Sequence, residues 1–143
     1  DKRYFALVAG KWPKAVRVVD APLEKNILQS GERMVLVRRE GKRAITEFNV
    51  VERFQGATLL EARPITGRTH QIRVHAYHTG FPLLGDEKYR NDRSAELTRL
   101  IGLNRLFLHA ATLHFLLLET GELSLQAPLD TNLENTLTKR RNN

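Results

Sequence analysis

The densest group of side chains that could do chemistry lies in residues 65–75, which read ITGRTHQIRVH. Gly67 permits a sharp turn. After it, Arg68, His70 and Arg73 bring cationic or potentially cationic groups together. If a helix begins within this run, its unpaired N–H groups favour an anion, and each arginine can bind one through two hydrogen bonds. The run therefore predicts a phosphate or carboxylate site. The alternative is a capped surface helix whose arginines face solvent.

Three histidines in the same region raise the question of a metal site. His75 and His78 have the spacing that places two side chains on one helical face, whereas His70 lies off that face. No carboxylate stands at ligand spacing among them. The pattern therefore favours anion binding, and we expect no bound metal.

Three segments of the chain resemble, in the same order, the signature of the RluA family of pseudouridine synthases. They are KRYFALVAG at residues 2–10, GRTHQIRVH with GFPLLGD and a tyrosine at residues 67–89, and NRLFLHA at residues 104–110. The resemblance extends over nearly the whole chain. Within the family, residues 21–33 are most similar to a branch that acts on the RNA of the large ribosomal subunit.

This resemblance implies an RNA-modifying isomerase. In the family's reaction a carboxylate attacks, the glycosidic bond of a uridine breaks, the uracil turns, and a carbon–carbon bond replaces the carbon–nitrogen bond. No cofactor is needed, and the implied partner is 23S ribosomal RNA. The target base must leave its stack at a cost of a few kcal/mol, which stacking and phosphate contacts with the protein offset.

Two catalytic residues are implied by the match to the family motifs. Tyr4 should stack on the target base and assist removal of the proton from carbon 5, and Arg73 should pair with the catalytic aspartate. Both roles are physically reasonable, because an aromatic face serves any flipped pyrimidine and a guanidinium keeps a nearby carboxylate ionised. Taken alone, Tyr4 would be read as core packing at the end of a strand.

Further residues are candidates for contact with RNA. Ile72 matches a hydrophobic position beside the pocket, and Arg68 and His70 precede it where backbone contacts are expected. Asn104 and Arg105 would either cap a helix or line the cleft. The nearby side chains expected only to pack are Leu108 and Ala110.

The family's nucleophile lies in a His-Arg-Leu-Asp segment upstream of the tyrosine motif, and no such segment occurs in this sequence. None of the chain's aspartates has the required context: Asp1, Asp20, Asp86, Asp92 and Asp130. Asp92 and Asp130 are better explained as helix-capping residues. We therefore expect residues 1–143 to be the C-terminal portion of a catalytic domain, inactive alone, without the nucleophile-bearing segment or the small RNA-binding module that usually precedes it. The alternative is a noncatalytic RNA-binding module or split subunit.

The first half of the chain should form the sheet that positions these residues. Short runs rich in valine, isoleucine and aromatic residues predict strands over residues 4–8, 16–19, 34–39, 45–54 and 57–63. Turn residues separate them at positions 10–13, 30–32 and 40–42. Paired in sequence order, these strands would form an antiparallel meander.

Helices should follow after Pro64. The spacing of Ile72 and Ala76 predicts a helix over residues 69–79, capped by Thr66 or Thr69 and ended by Gly80. A second helix is predicted over residues 94–101, followed by a closing hairpin over residues 106–125 and a last helix over residues 130–139. The fold class is therefore α+β, with a mixed, largely antiparallel sheet and flanking helices. By resemblance it is a pseudouridine synthase fold, incomplete at its N-terminal side.

The composition is compatible with an RNA partner. The chain has 143 residues, of which 41% are hydrophobic and 27% charged, and a formal net charge of +7. Such a basic protein gains by replacing the counterions of a polyanion. No apolar run approaches the roughly 20 residues of a membrane span, and no secretory signal pattern occurs at residues 1–10. The absence of cysteine fits the cytoplasm. Nothing in the sequence indicates the oligomeric state.

Overall fold

The structure is a computed structural model and describes residues 2–110. Within that range the chain forms seven strands and two helices. In chain order they are β1 (Tyr4–Ala9), β2 (Val18–Asp20), β3 (Leu23–Ile27), β4 (Arg33–Val37), β5 (Ile45–Phe54), β6 (Ala57–Pro64), α1 (Gln71–Thr79), α2 (Asp92–Ile101) and β7 (Leu108–Ala110).

The strands form two antiparallel sheets, which confirms the α+β class. The larger sheet has the order β2-β5-β6-β1-β7, and β3 and β4 pair only with each other. The predicted meander is wrong, because β1 pairs with β6 and β7 and not with the next strand in sequence. Only Leu23 of β3 is buried, so this mostly polar strand lacks the alternation that would have predicted it.

The central strand β1 contributes to two apolar clusters, one on each face of the larger sheet. Ala6 and Val8 join a cluster that contains Ile72 and Ala76 of α1. Leu7 and Ala9 join the second, which contains Ile101 of α2 among its other members. Because successive side chains of a strand point to opposite faces, one buried strand holds a helix on each side.

Both helices end at glycines, as predicted for α1 at Gly80, but the residues that cap their starts differ from those predicted. Neither Thr66 nor Thr69 caps α1: its N-cap is His70, in the left-handed conformation at φ 54°, without a side-chain cap bond. The N-cap of α2 is Asn91, not Asp92, and it exchanges hydrogen bonds with Ser94.

The β3–β4 hairpin packs against the start of α1. Leu23 and Val35 of the hairpin share an apolar cluster with Val74 and Tyr89. The Tyr89 hydroxyl accepts a hydrogen bond from the backbone N–H of Val35 at 2.9 Å. The hairpin is thereby fixed beside the arginine-rich run identified in the sequence.

The remainder of the closing hairpin beyond residue 110 and the helix predicted at residues 130–139 lie outside the described residues. Within residues 2–110, neither helix has the length and apolar character needed to cross a membrane.

Candidate active-site cleft

A cleft of about 400 Å³ lies between the start of β1, the start of α1 and the chain around β7. It contains five of the seven residues singled out in the sequence: Tyr4, Arg68, His70, Ile72 and Arg73. The other side chains that line it are Lys2, Pro64, Thr66, Gln71, Leu106 and Leu108, together with Gly67.

Tyr4 is the first residue of β1, where it pairs with Ala62 on one side and Ala110 on the other. Its half-buried side chain packs against the cluster that α1 covers and also lines the cleft. Its position is therefore compatible with packing and with stacking on a bound base.

Arg73 projects from the first turns of α1 and is held by Asp86. Its Nε and Nη2 atoms donate to the two carboxylate oxygens, each at 2.8 Å. The Asp86 side chain is 0% exposed, and it also accepts the backbone N–H groups of Lys88 and Tyr89. Asp86 is thus the partner of Arg73 among the described residues. The pairing of Arg73 with a catalytic aspartate stays a prediction.

The surroundings keep this pair charged. Burial opposes ionisation of Asp86, but the hydrogen bonds from Arg73, Tyr89 and Lys88 outweigh it and lower the pKa of the carboxyl group. The hydrogen bond to Asp86 raises the pKa of Arg73. Asp86 therefore fixes one edge of the guanidinium, while Nη1 takes part in neither bond.

His70 lines the cleft in a conformation that few residues other than glycine adopt, at φ 54°. Its Nδ1 lies 2.8 Å from the Tyr89 hydroxyl, which already accepts a bond from Val35. The hydroxyl proton is therefore free to be donated to His70, which favours a neutral ring with its proton on Nε2. Burial, followed by the charges of Arg73 and Lys88, lowers the pKa of His70, in agreement with a neutral ring.

Tyr89 connects these groups. Besides its bonds to Val35 and His70, its ring lies beneath the Arg73 guanidinium, whose central carbon is 5.1 Å from the ring centroid. Burial raises the pKa of the Tyr89 hydroxyl, so it remains a neutral donor. One side chain thus joins the β3–β4 hairpin to two of the predicted site residues.

Gln71 fastens the loop that forms one wall of the cleft. Its side-chain oxygen accepts from the Thr66 hydroxyl at 2.6 Å and from the Arg68 backbone N–H at 3.0 Å. Its side-chain nitrogen donates to the Ile45 carbonyl at 2.8 Å and to the Thr46 hydroxyl at 3.0 Å. Because Gln71 is only 4% exposed, these bonds tie the loop to β5 away from solvent.

Buried His75 extends this network on α1. Its Nδ1 lies 2.8 Å from the Thr46 hydroxyl and its Nε2 lies 2.9 Å from the Ala21 carbonyl. Burial lowers the pKa of His75, although the bond to Ala21 opposes the shift. Within the described residues no three histidine or acidic side chains are arranged to hold a metal ion.

Two predicted RNA-binding residues lie elsewhere. Asn104 is exposed and lines a separate depression with Gly85 and Asp86, and exposed Arg105 does not line the cleft. Leu108, which was expected only to pack, lines the cleft with Leu106. Gln71 and Tyr89 were not predicted to have a role, because most of the groups that they bind lie 19 or more residues away along the chain.

The family model described as RNA pseudouridylate synthase matches residues 1–78. "Ribosomal large subunit pseudouridine synthase C" of Yersinia pestis is 50% identical over 144 residues, which are 100% of this chain and 45% of that protein. The protein of the same name from Escherichia coli K12 is 52% identical over 146 residues, covering 99% of this chain and 46% of that protein. The chain thus spans about half the length of the curated relatives it matches.

Two solved structures are similar in fold. "Human RNA Pseudouridylate Synthase Domain Containing 1" matches with a TM-score of 0.62 and 28% identity, over 76% of this chain and 46% of that chain. "Human RNA Pseudouridylate Synthase Domain Containing 4" matches with a TM-score of 0.66 and 23% identity, over 98% of this chain and 62% of that chain. The second likeness bears on the fold alone.

Proposed function

Because this chain belongs to the RNA pseudouridylate synthase family, we propose that the protein isomerises specific uridines of large-subunit ribosomal RNA to pseudouridine. The target follows from relatives named as ribosomal large subunit pseudouridine synthases. The observation that carries the proposal is that Tyr4 and Arg73 line one cleft, together with Arg68 and Lys2. A ribosomal RNA substrate would place the activity in the cytoplasm.

The cleft offers each group that a flipped uridine requires. Tyr4 provides an aromatic side chain for the base, with Ile72, Leu106 and Leu108 as apolar walls. Lys2 and Arg68 provide cations for the flanking phosphates. The reaction is an isomerisation: the bond from the sugar to nitrogen 1 breaks, a bond to carbon 5 forms, and carbon 5 loses a proton while nitrogen 1 gains one. In the proposal Tyr4 assists that proton removal.

We further propose that residues 1–143 are the C-terminal portion of the catalytic domain, and that the nucleophilic aspartate belongs to a segment outside them. Arg73 is suited to hold such a carboxylate, since Nη1 takes part in neither bond to Asp86. A guanidinium fixed along one edge presents its other donors in a constant direction. Asp86 thus acts as a positioning residue for Arg73.

The test uses the full reading frame that contains this chain. Large-subunit ribosomal RNA carrying tritium on carbon 5 of uridine is incubated with the protein, and release of tritium is measured. We expect release by the unaltered protein, and a loss of about 100-fold or more for Tyr4→Ala and Arg73→Ala, the range typical of groups that act in proton transfer and electrostatic stabilisation. Lys14→Ala, an exposed residue that does not line the cleft, is the control.

Binding without tritium release by the full-length protein would contradict the proposal. That result would instead favour the noncatalytic RNA-binding module. Removal of Arg73 leaves the buried Asp86 without its partner, so thermal unfolding of Tyr4→Ala and Arg73→Ala must show that both are folded at the assay temperature. A loss of activity that matches the loss of folded protein, or an equal loss in Lys14→Ala, would show general damage and contradict the assignment to the cleft.

A further inference from the structure

A second cavity, of about 420 Å³, adjoins the cleft on the side of the β3–β4 hairpin. Its walls come from β3, from the turn at residues 40–42 and from the loop at residues 67–69. Gly67 and Arg68 line both this cavity and the cleft, so one short loop separates the two. Its volume falls within the range of about 300–1,000 Å³ that is typical of small-molecule pockets.

The floor of this cavity is apolar and held by the backbone. Leu23 and Val35 are each 3% exposed. Leu23 exchanges two backbone hydrogen bonds of 2.8 Å with Lys42. A β-carbon on Gly41 would lie 2.6 Å from the backbone of Leu23, so the turn packs directly on the strand. Because so little of either side chain is exposed, Leu23 and Val35 close the cavity from beneath, and a base that enters it would also lie against the apolar stems of Lys25 and Lys42.

The rim of the cavity is mainly cationic. Lys25, Lys42 and Arg68 are exposed at its edge. Arg68 is oriented by a hydrogen bond of 3.0 Å from its Nε to the carbonyl of Arg43, which leaves its terminal nitrogens to other partners.

Two glutamates also line the cavity. Glu24 lies 3.2 Å from the guanidinium of Arg38, so its charge is largely compensated. Glu40 is exposed and has no cationic partner in the ion pairs described for residues 2–110. Glu40 should therefore weaken the attraction of this rim for an anion.

We infer that this second cavity binds an unpaired nucleotide next to the target uridine, with its base in the cavity, against the stems of Lys25 and Lys42, and its phosphate between Arg68 and Lys42. An apolar surface bordered by cations is the combination that binds single-stranded nucleic acid. Because only the Gly67–Arg68 loop lies between the cleft and the cavity, a strand that passes over this loop can reach both. The inference rests on the proposed function and deepens it, since the cavity would help to choose which uridines enter the cleft.

The experiment compares two charge-matched double variants in the full reading frame. Lys25→Glu with Lys42→Glu reverses two charges at the cavity, and Lys11→Glu with Lys14→Glu reverses two exposed charges that line neither cavity nor cleft. With a ribosomal RNA substrate we expect the cavity variant to raise KM at least tenfold with kcat within twofold of the unaltered protein. The control should raise KM less than threefold, and Glu40→Gln should lower KM.

Equal KM values for the two double variants would overturn the inference, as would a loss of kcat in the cavity variant without a change in KM. A second measurement tells failure of the inference apart from failure of the proposed function: the dissociation constant of each variant for a short single-stranded RNA. If the unaltered protein forms no pseudouridine, the proposed function fails, and weaker binding by the cavity variant alone still supports the cavity. Equal RNA binding by the two double variants, or no RNA binding by the unaltered protein, overturns the inference about the cavity.

Discussion

Arg73 and Asp86 make the most specific side-chain contact next to the cleft. Asp86 is fully buried and accepts four hydrogen bonds, two from Arg73 and two from backbone N–H groups. A buried pair adds little net stability when it replaces a well-packed apolar pair, but removal of one partner leaves the other charge buried and costs about 3–5 kcal/mol. We therefore regard the pair as a device that fixes the direction of Arg73.

The first prediction concerns acid stability. Because the folded-state pKa of Asp86 is lowered, its contribution to stability is present above the ordinary aspartate pKa of 3.8 and is lost as the pH falls below that value. Asp86→Asn should lower the free energy of unfolding at pH 7 by about 3 kcal/mol and flatten its dependence on pH below about 4. Urea denaturation between pH 3 and 7 measures both, and an unchanged acid dependence would contradict the assignment.

A second prediction concerns Tyr89. Tyr89→Phe keeps the ring beneath Arg73 but leaves the N–H of Val35 and the Nδ1 of His70 without their partner. Loss of a partner for a buried polar group costs about 1–3 kcal/mol, so we expect a destabilisation in that range and a rise in the pKa of His70. Thermal unfolding and NMR titration of the imidazole measure the two effects. A pKa of His70 that does not move would show that the Tyr89 hydroxyl does not hold its tautomer.

Much of the cleft could be predicted at the level of single residues. Tyr4, Arg68, His70, Ile72 and Arg73 were singled out from the sequence, and the fold brings all five to one cleft. Asp86 and Tyr89, which hold Arg73 and His70, were noted only as part of the family signature, because their side-chain contacts arise only in the folded chain. Their catalytic and RNA-binding roles stay predictions.

At the scale of elements, the start of α1 carries the geometry of the cleft. The helix begins after His70 in the left-handed conformation, without a capping side chain. The bonds of Gln71 to Thr66 and Arg68 hold the preceding loop instead. A left-handed residue other than glycine costs free energy and persists only where its surroundings enforce it. The bonds of Gln71 to the preceding loop and the bond of His70 itself to Tyr89 hold the backbone on both sides of this residue.

The third prediction tests this assignment. Gln71→Leu removes all four bonds of the amide while keeping a side chain of similar size, so we expect a loss of about 3 kcal/mol in the free energy of unfolding. KM for RNA should rise because Arg68 is no longer fixed. Thr79→Val, which removes one hydrogen bond to the His75 carbonyl near the other end of α1, is the control and should cost about 1 kcal/mol or less. Equal effects in the two variants would argue against a special role for Gln71.

Of the nine elements in the described residues, only β3 lies outside every predicted element; β2 and β4 overlap the strands predicted at residues 16–19 and 34–39, and β7 falls within the predicted closing hairpin. β1, β5, β6 and both helices follow from apolar periodicity and glycine punctuation. β3 was missed, because its stability comes from pairing with β4 and not from its own composition. The meander was wrong because pairing β1 with β6 requires contacts that are distant along the chain, which no local pattern specifies.

On the scale of the whole molecule, the fold brings the hairpin, the 64–70 loop and the start of β1 to one side of α1. Two cavities that share Gly67 and Arg68 result, and cationic side chains border both. The formal charge of +7 would raise the affinity for any polyanion, whereas the cleft and the adjoining cavity would provide selection. In this proposal the overall charge provides general attraction, and the cleft and cavity add specific recognition.

The measurement that tests the central claim most directly is a map of pseudouridines in ribosomal RNA from cells that carry or lack the gene for this protein. We predict that specific pseudouridines of the large-subunit RNA disappear with the gene and return when it is restored, but not when it is restored with Arg73→Ala. A large-subunit map that is identical in both strains would contradict the account.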